Sequence, residues 1–61
     1  SRMCARVNSN VRSAPSMQGR VLRVVTKHGP VQVLGRSGNW LRVRTASGVV
    51  GYSYHNLYVS C

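Results

Sequence analysis

Glycine and proline interrupt this chain so often that no helix of ordinary length fits between them. Pro15, Gly19, Gly29, Pro30, Gly35, Gly38, Gly48 and Gly51 cut it into short pieces. Proline removes a backbone N–H and clashes with the preceding turn, and glycine adds an entropic cost, so neither belongs in a helix interior. The pieces themselves are rich in valine and alternate apolar with polar residues, the period of a half-buried strand. Five segments are expected as strands: Ala5–Val11, with Ala5 and Val7 on one face, then Arg20–Thr26, Val31–Leu34, Trp40–Thr45 and Val49–Tyr52. Leu57-Tyr58-Val59 closes the domain. The segment at Trp40 is the clearest, with Leu41 and Val43 pointing one way and Trp40, Arg42 and Arg44 the other. Between the strands, Ser13–Ser16 is expected as a loop and Lys27–Pro30, Arg36–Asn39 and Ala46–Gly48 as turns.

A chain of 61 residues buries only about 60% of the surface exposed by its unfolded form. Its core supplies roughly 3–5 kcal/mol, and domains of this size commonly add a staple. Cys4 and Cys61 are the only cysteines, and an even count flanking the apolar interior reads as one disulfide joining the termini. Closing so long a loop stabilises by about 4 kcal/mol on the chain-entropy account. Residues 4–61 then form one domain and residues 1–3 a flexible lead-in. The expected fold is all-β, a small antiparallel barrel of about five strands, because closure removes edges that invite aggregation. A disulfide implies an oxidising compartment, so the chain is expected to be secreted or periplasmic, the alternative being two free thiols in a cytosolic protein. The sequence opens on Ser1 without a charged-then-apolar leader and is read as a mature form or an excised domain. No apolar run approaches the ~20 residues of a membrane span.

Nine lysines and arginines face no aspartate or glutamate, so no arginine can pair with a carboxylate side chain, and each is solvated, stacked on a ring or open to an anionic partner. The same inventory argues against catalysis. Paired-carboxylate hydrolysis, an aspartic dyad and an acid-oriented histidine all need a carboxylate that the chain lacks. A Cys–His pair built on His28 or His55 needs a thiolate that the disulfide consumes. Two cysteines and two histidines lack the close pairwise spacing of a structural zinc site. No catalytic residue, metal or cofactor is therefore expected.

Four local patterns appear in order along nearly the whole chain: Asn10-Val11-Arg12-Ser13-Ala14-Pro15-Ser16, Lys27-His28-Gly29-Pro30-Val31-Gln32-Val33-Leu34, Gly38-Asn39-Trp40-Leu41-Arg42-Val43-Arg44, and Gly48-Val49-Val50-Gly51-Tyr52. Together the sequence resembles the bacterial-type SH3 (SH3b) domain family, whose members open on Asn-Val-Arg-x-x-Pro, continue through Gly-x-Trp and close on Gly-x-x-Gly-aromatic. Physical roles for these positions stand beside the resemblance. Pro15 fixes φ in the first loop, Asn10 is placed to cap that loop, Gly48 suits a tight turn and Gly51 a close approach of backbones. Ser53 departs from the pattern, since the family usually has an apolar residue after the closing aromatic. The Asn56-Leu57-Tyr58 end leaves two registers open for the last strand.

The resemblance implies a non-catalytic targeting or adaptor module that recognises cell-wall peptidoglycan or a peptide, and the excess charge suits an anionic envelope polymer. The ligand is expected near Trp40, Tyr52, Tyr54 and the Ser13–Ser16 loop, with Arg12, Arg42 and Arg44 as anion contacts. The structural alternative has Trp40 packing over the Pro15 loop. Two other readings of the charge are nucleic-acid binding by a basic barrel with exposed aromatics and a secreted basic effector acting on anionic surfaces.

Overall fold

The computed structural model describes all 61 residues. Seven strands run as β1 (Arg2–Ala5), β2 (Ser9–Arg12), β3 (Val21–Val25), β4 (Pro30–Ser37), β5 (Trp40–Thr45), β6 (Val50–Tyr54) and β7 (Tyr58–Val59), with one 3-10 turn at His55–Leu57. They form a single antiparallel sheet in the order β3-β2-β6-β5-β4-β1-β7.

Ala5, Val11, Val25, Val31, Leu41, Val43 and Tyr58 come from six of these strands yet form one buried cluster. A flat sheet cannot bring β3 and β7, its opposite margins, onto a common core, so the sheet is curled around its inner face as a small barrel. Two irregularities help it curl. The β4–β5 register slips between Val33 and Gly35, and the β2–β3 register slips between Val11 and Arg12; an extra residue on one strand bends it and increases its twist.

The expected first strand is two strands. β1 pairs with β4 and β7, whereas β2 pairs with β3 and β6, and the chain turns a corner between them at residues 6–8. Val7, expected on the inner face with Ala5, sits on that corner and is 41% exposed. The expected lead-in also belongs to the fold. Arg2 and Met3 lie in β1 opposite Gln32 and Val31, and the carbonyl of Ser1 accepts from the Val33 N–H at 2.7 Å, because β4 would otherwise present an unpaired edge there.

Cys4 and Cys61 are joined as expected, with their Cα atoms 5.0 Å apart, and no free thiol remains. The bond closes the edge where β1 pairs with β7, Cys4 lying opposite Val59.

Gly48 turns with φ of +89°. Gly51 answers a different need: a Cβ there would lie 2.6 Å from the Arg12 carbonyl oxygen and 2.8 Å from a Val11 methyl, so glycine is what lets β6 cross β2. In the turn before β4, His28 takes the left-handed conformation, φ 73°. Asn10, expected to cap the Pro15 loop, is instead a paired residue of β2, and Ser13 closes that loop by accepting from the Arg20 N–H, while the turn before β4 is capped by Asn8, whose Oδ1 accepts from the Lys27 N–H at 2.8 Å.

Candidate functional site

Strand alternation sends Trp40, Arg42 and Arg44 outward from β5, opposite the buried Leu41 and Val43. Their neighbours on β6 stand directly across the ladder: Trp40 faces Tyr54, Arg42 faces Tyr52 and Arg44 faces Val50. Trp40 and Tyr54 meet edge to face, ring centroids 5.4 Å apart at 81°. This geometry favours aromatic pairs, and Trp40 stays half-buried. His55 also packs on Tyr54, centroids 4.9 Å apart at 48°.

Trp40 and Tyr54 line a groove of about 320 Å³ that also takes in Asn8, Asn10, Arg12, Met17 and Leu57. Six parts of the chain contribute: the corner after β1, strand β2, the loop after it, the start of β5, the end of β6 and the 3-10 turn that follows. The groove is therefore apolar at its base and edged by two side-chain amides and one guanidinium, the mix of apolar surface and few polar groups that small binding sites share.

Arg12 has a double role. Its Nη1 donates to the carbonyls of Met17 and Gly19, both at 3.0 Å, holding the 13–19 loop against the groove, while its other donors stay available. Ser13 braces the same loop, its hydroxyl accepting from the Arg20 N–H at 3.0 Å and its N–H donating to the Arg20 carbonyl at 2.8 Å. The loop residue that reaches the groove beside Trp40 is Met17, and Pro15 is not among its lining residues.

Of the side chains expected to bind a ligand, the structure gathers Trp40, Tyr54 and Arg12 around the groove and leaves Arg42, Arg44 and Tyr52 outside it. Tyr52 is half-buried between Arg42 of β5 and Arg12 of β2, its partners across the two ladders. Arg44 lines a separate depression with Arg2 and Gln32. Asn10 of β2 enters the sequence reading only as a loop cap, and Asn8, Met17 and Leu57 do not enter its site at all. The last three lie outside the strands, where no period-2 pattern marks a facing direction; the one available signal was that Met17 is a large apolar residue inside a polar loop.

Beneath the groove runs a buried chain of hydroxyls. Tyr58 donates to Ser53 Oγ at 2.8 Å, and Ser53 donates to the Asn10 carbonyl at 2.7 Å. Burial pushes the Tyr58 hydroxyl above its ordinary 10.0, its hydrogen bonds with Ser53 and Ser9 acting in the opposite direction. The departure at Ser53 is thus matched by a partner, and the contact fixes the last strand with Tyr58 inward, opposite Ala5.

The family model for the bacterial SH3 domain matches residues 7–60. Two solved structures share the fold: NlpC2 from Trichomonas vaginalis, at TM-score 0.86 and 18% identity over 98% of this chain and 23% of that one, and NlpC1 from the same organism, at TM-score 0.86 and 20% identity over 98% and 22%. The chain therefore spans under a quarter of the length of either, and at these identities the likeness is one of fold. No curated protein matches the chain.

Proposed function

The chain belongs to the bacterial SH3 domain family, and from that membership we propose that it is a non-catalytic, extracytoplasmic module that binds cell-wall peptidoglycan. The observation that carries this reading is the groove over Trp40 and Tyr54, rimmed by Asn8, Asn10 and Arg12. The half-buried Trp40 indole, lining the groove, offers a surface on which a sugar ring or a peptide plane stacks. The amides offer donors and acceptors to an N-acetyl group or peptide backbone, and the remaining Arg12 donors suit a stem-peptide carboxylate. The Cys4–Cys61 bond supports an oxidising compartment. The two structural neighbours are named NlpC proteins, which is consistent with a module that works beside a separate enzyme domain.

The test is co-sedimentation with purified peptidoglycan. The native chain is expected in the pellet. Trp40→Ala is expected to bind about thirtyfold more weakly, the loss of a central aromatic anchor being about 2 kcal/mol. A native chain left in the supernatant, or a Trp40→Ala variant that pellets equally well, overturns the reading.

A further inference from the structure

We propose that the outer face of β1, β4 and β5 is a second site, for an extended phosphodiester-linked polymer of the cell envelope. Arg2 lies directly opposite Gln32, and Gln32 directly opposite Arg44, so the three share one row across the sheet, with Arg42 the next outward residue along β5. All four are exposed. Strand spacing separates Arg2 from Arg44 by about 9.5 Å and Arg44 from Arg42 by about 7 Å. Arg44 is held in the row by its Nη1, which donates to Gln32 Oε1 at 3.2 Å. The row borders a depression of about 500 Å³ lined in part by Arg2, Gln32, Arg44 and Thr45, the largest on the molecule and separate from the aromatic groove.

The chemistry of the occupant follows from the spacing. The arginines are spread too widely for one small anion and stand singly, so the partner carries one charge on each short repeat. A phosphodiester presents two free oxygens per repeat, which the guanidinium fork takes as a pair. No aspartate or glutamate exists in the chain to compete. The Arg2–Gln32–Arg44–Val50 row holds no aromatic ring, Tyr52 beside Arg42 is half-buried, and the next ring outward along β5, the half-buried Trp40, lies past Arg42 in the aromatic groove. Sites for single-stranded nucleic acid interleave stacking rings with basic groups, so the row favours a polymer without bases. The choice of an envelope polymer rests on the extracytoplasmic reading above; the anion row itself does not depend on the groove.

The experiment measures binding of synthetic poly(glycerol phosphate), and of poly-dT with the same number of phosphates, from 50 to 200 mM salt. Poly(glycerol phosphate) is expected to bind with log K falling linearly in log salt. R42Q/R44Q should reduce that slope by about 1.5, the release expected from two phosphate contacts, and weaken binding at least tenfold. R6Q/R20Q, which removes the same charge at positions that line neither this depression nor its neighbour, should lose less than half as much slope, and Trp40→Ala should bind as the native chain does. Matching thermal melts of the two double variants establish that both are folded. Absence of binding at 50 mM salt, equal slopes for the two double variants, or tighter binding of poly-dT each overturns the proposal. Loss of peptidoglycan binding in Trp40→Ala with polymer binding retained separates this site from the groove.

Discussion

Ser53 is fully buried with both capacities of its hydroxyl used, accepting from Tyr58 and donating to Asn10. A serine in a barrel core costs stability unless it is satisfied in this way. Tyr58→Phe is therefore expected to lose about 0.5–1.5 kcal/mol at neutral pH, read from urea melts of the disulfide-intact protein. The same hydroxyl gives a pH signature. Since the folded state holds the Tyr58 proton above 10.0, the unfolded chain releases its proton first as pH rises. Between that value and the higher folded one the native state binds more protons, and stability falls with increasing pH. Tyr58→Phe should show a shallower alkaline decline than the native chain; equal declines would remove Tyr58 as the cause. None of this pairing was legible beforehand. Ser53 read as a departure from an apolar pattern, and only the fold shows that a tyrosine five residues later supplies its partner.

At the scale of elements, β5 was legible because its apolar residues alternate without interruption between two turns and bury only one face. The first segment misled for an equally physical reason. Its apolar spacing runs from Ala5 through Val7 to Val11, but the chain changes partners at the corner, and periodicity carries no information about which strands pair. The groove inherits that difficulty, since it forms where β2 meets β6, a contact between residues about forty apart in sequence, Arg12 opposite Tyr52. Gly51 makes this crossing possible, and its role as a close approach was read correctly from the Gly-x-x-Gly pattern. Gly51→Ala should cost about 3 kcal/mol, at the upper end for overpacking, because one neighbour is the Arg12 backbone carbonyl, which cannot move aside without breaking the β2–β6 pairing. Thermal denaturation checks this, and a variant within 1 kcal/mol of native would show that the crossing is not tight.

For the whole molecule, the fold class and the cysteine pairing followed from size, punctuation and count, while the division of the arginines between groove and outer face did not, because charge alone has no direction. The covalent closure matches the core in size at this scale. Reducing Cys4–Cys61 frees a loop spanning 57 positions and is expected to remove about 4 kcal/mol, close to the roughly 3–5 kcal/mol that a core of this size supplies. Native and reduced chains compared by urea melts should therefore differ by about half of the total stability; a difference below about 1 kcal/mol would place the stabilisation in the sheet instead. The position of the bond also governs the response to load. A pull on the two ends of the chain loads only the pairing of Arg2 and Met3 with β4 before Cys4 passes it to Cys61 through covalent bonds across a span of 5.0 Å between Cα atoms, so tension reaches neither the remaining ladders nor the groove. Stretched between two anchors, the domain lengthens by almost nothing and keeps its binding face intact.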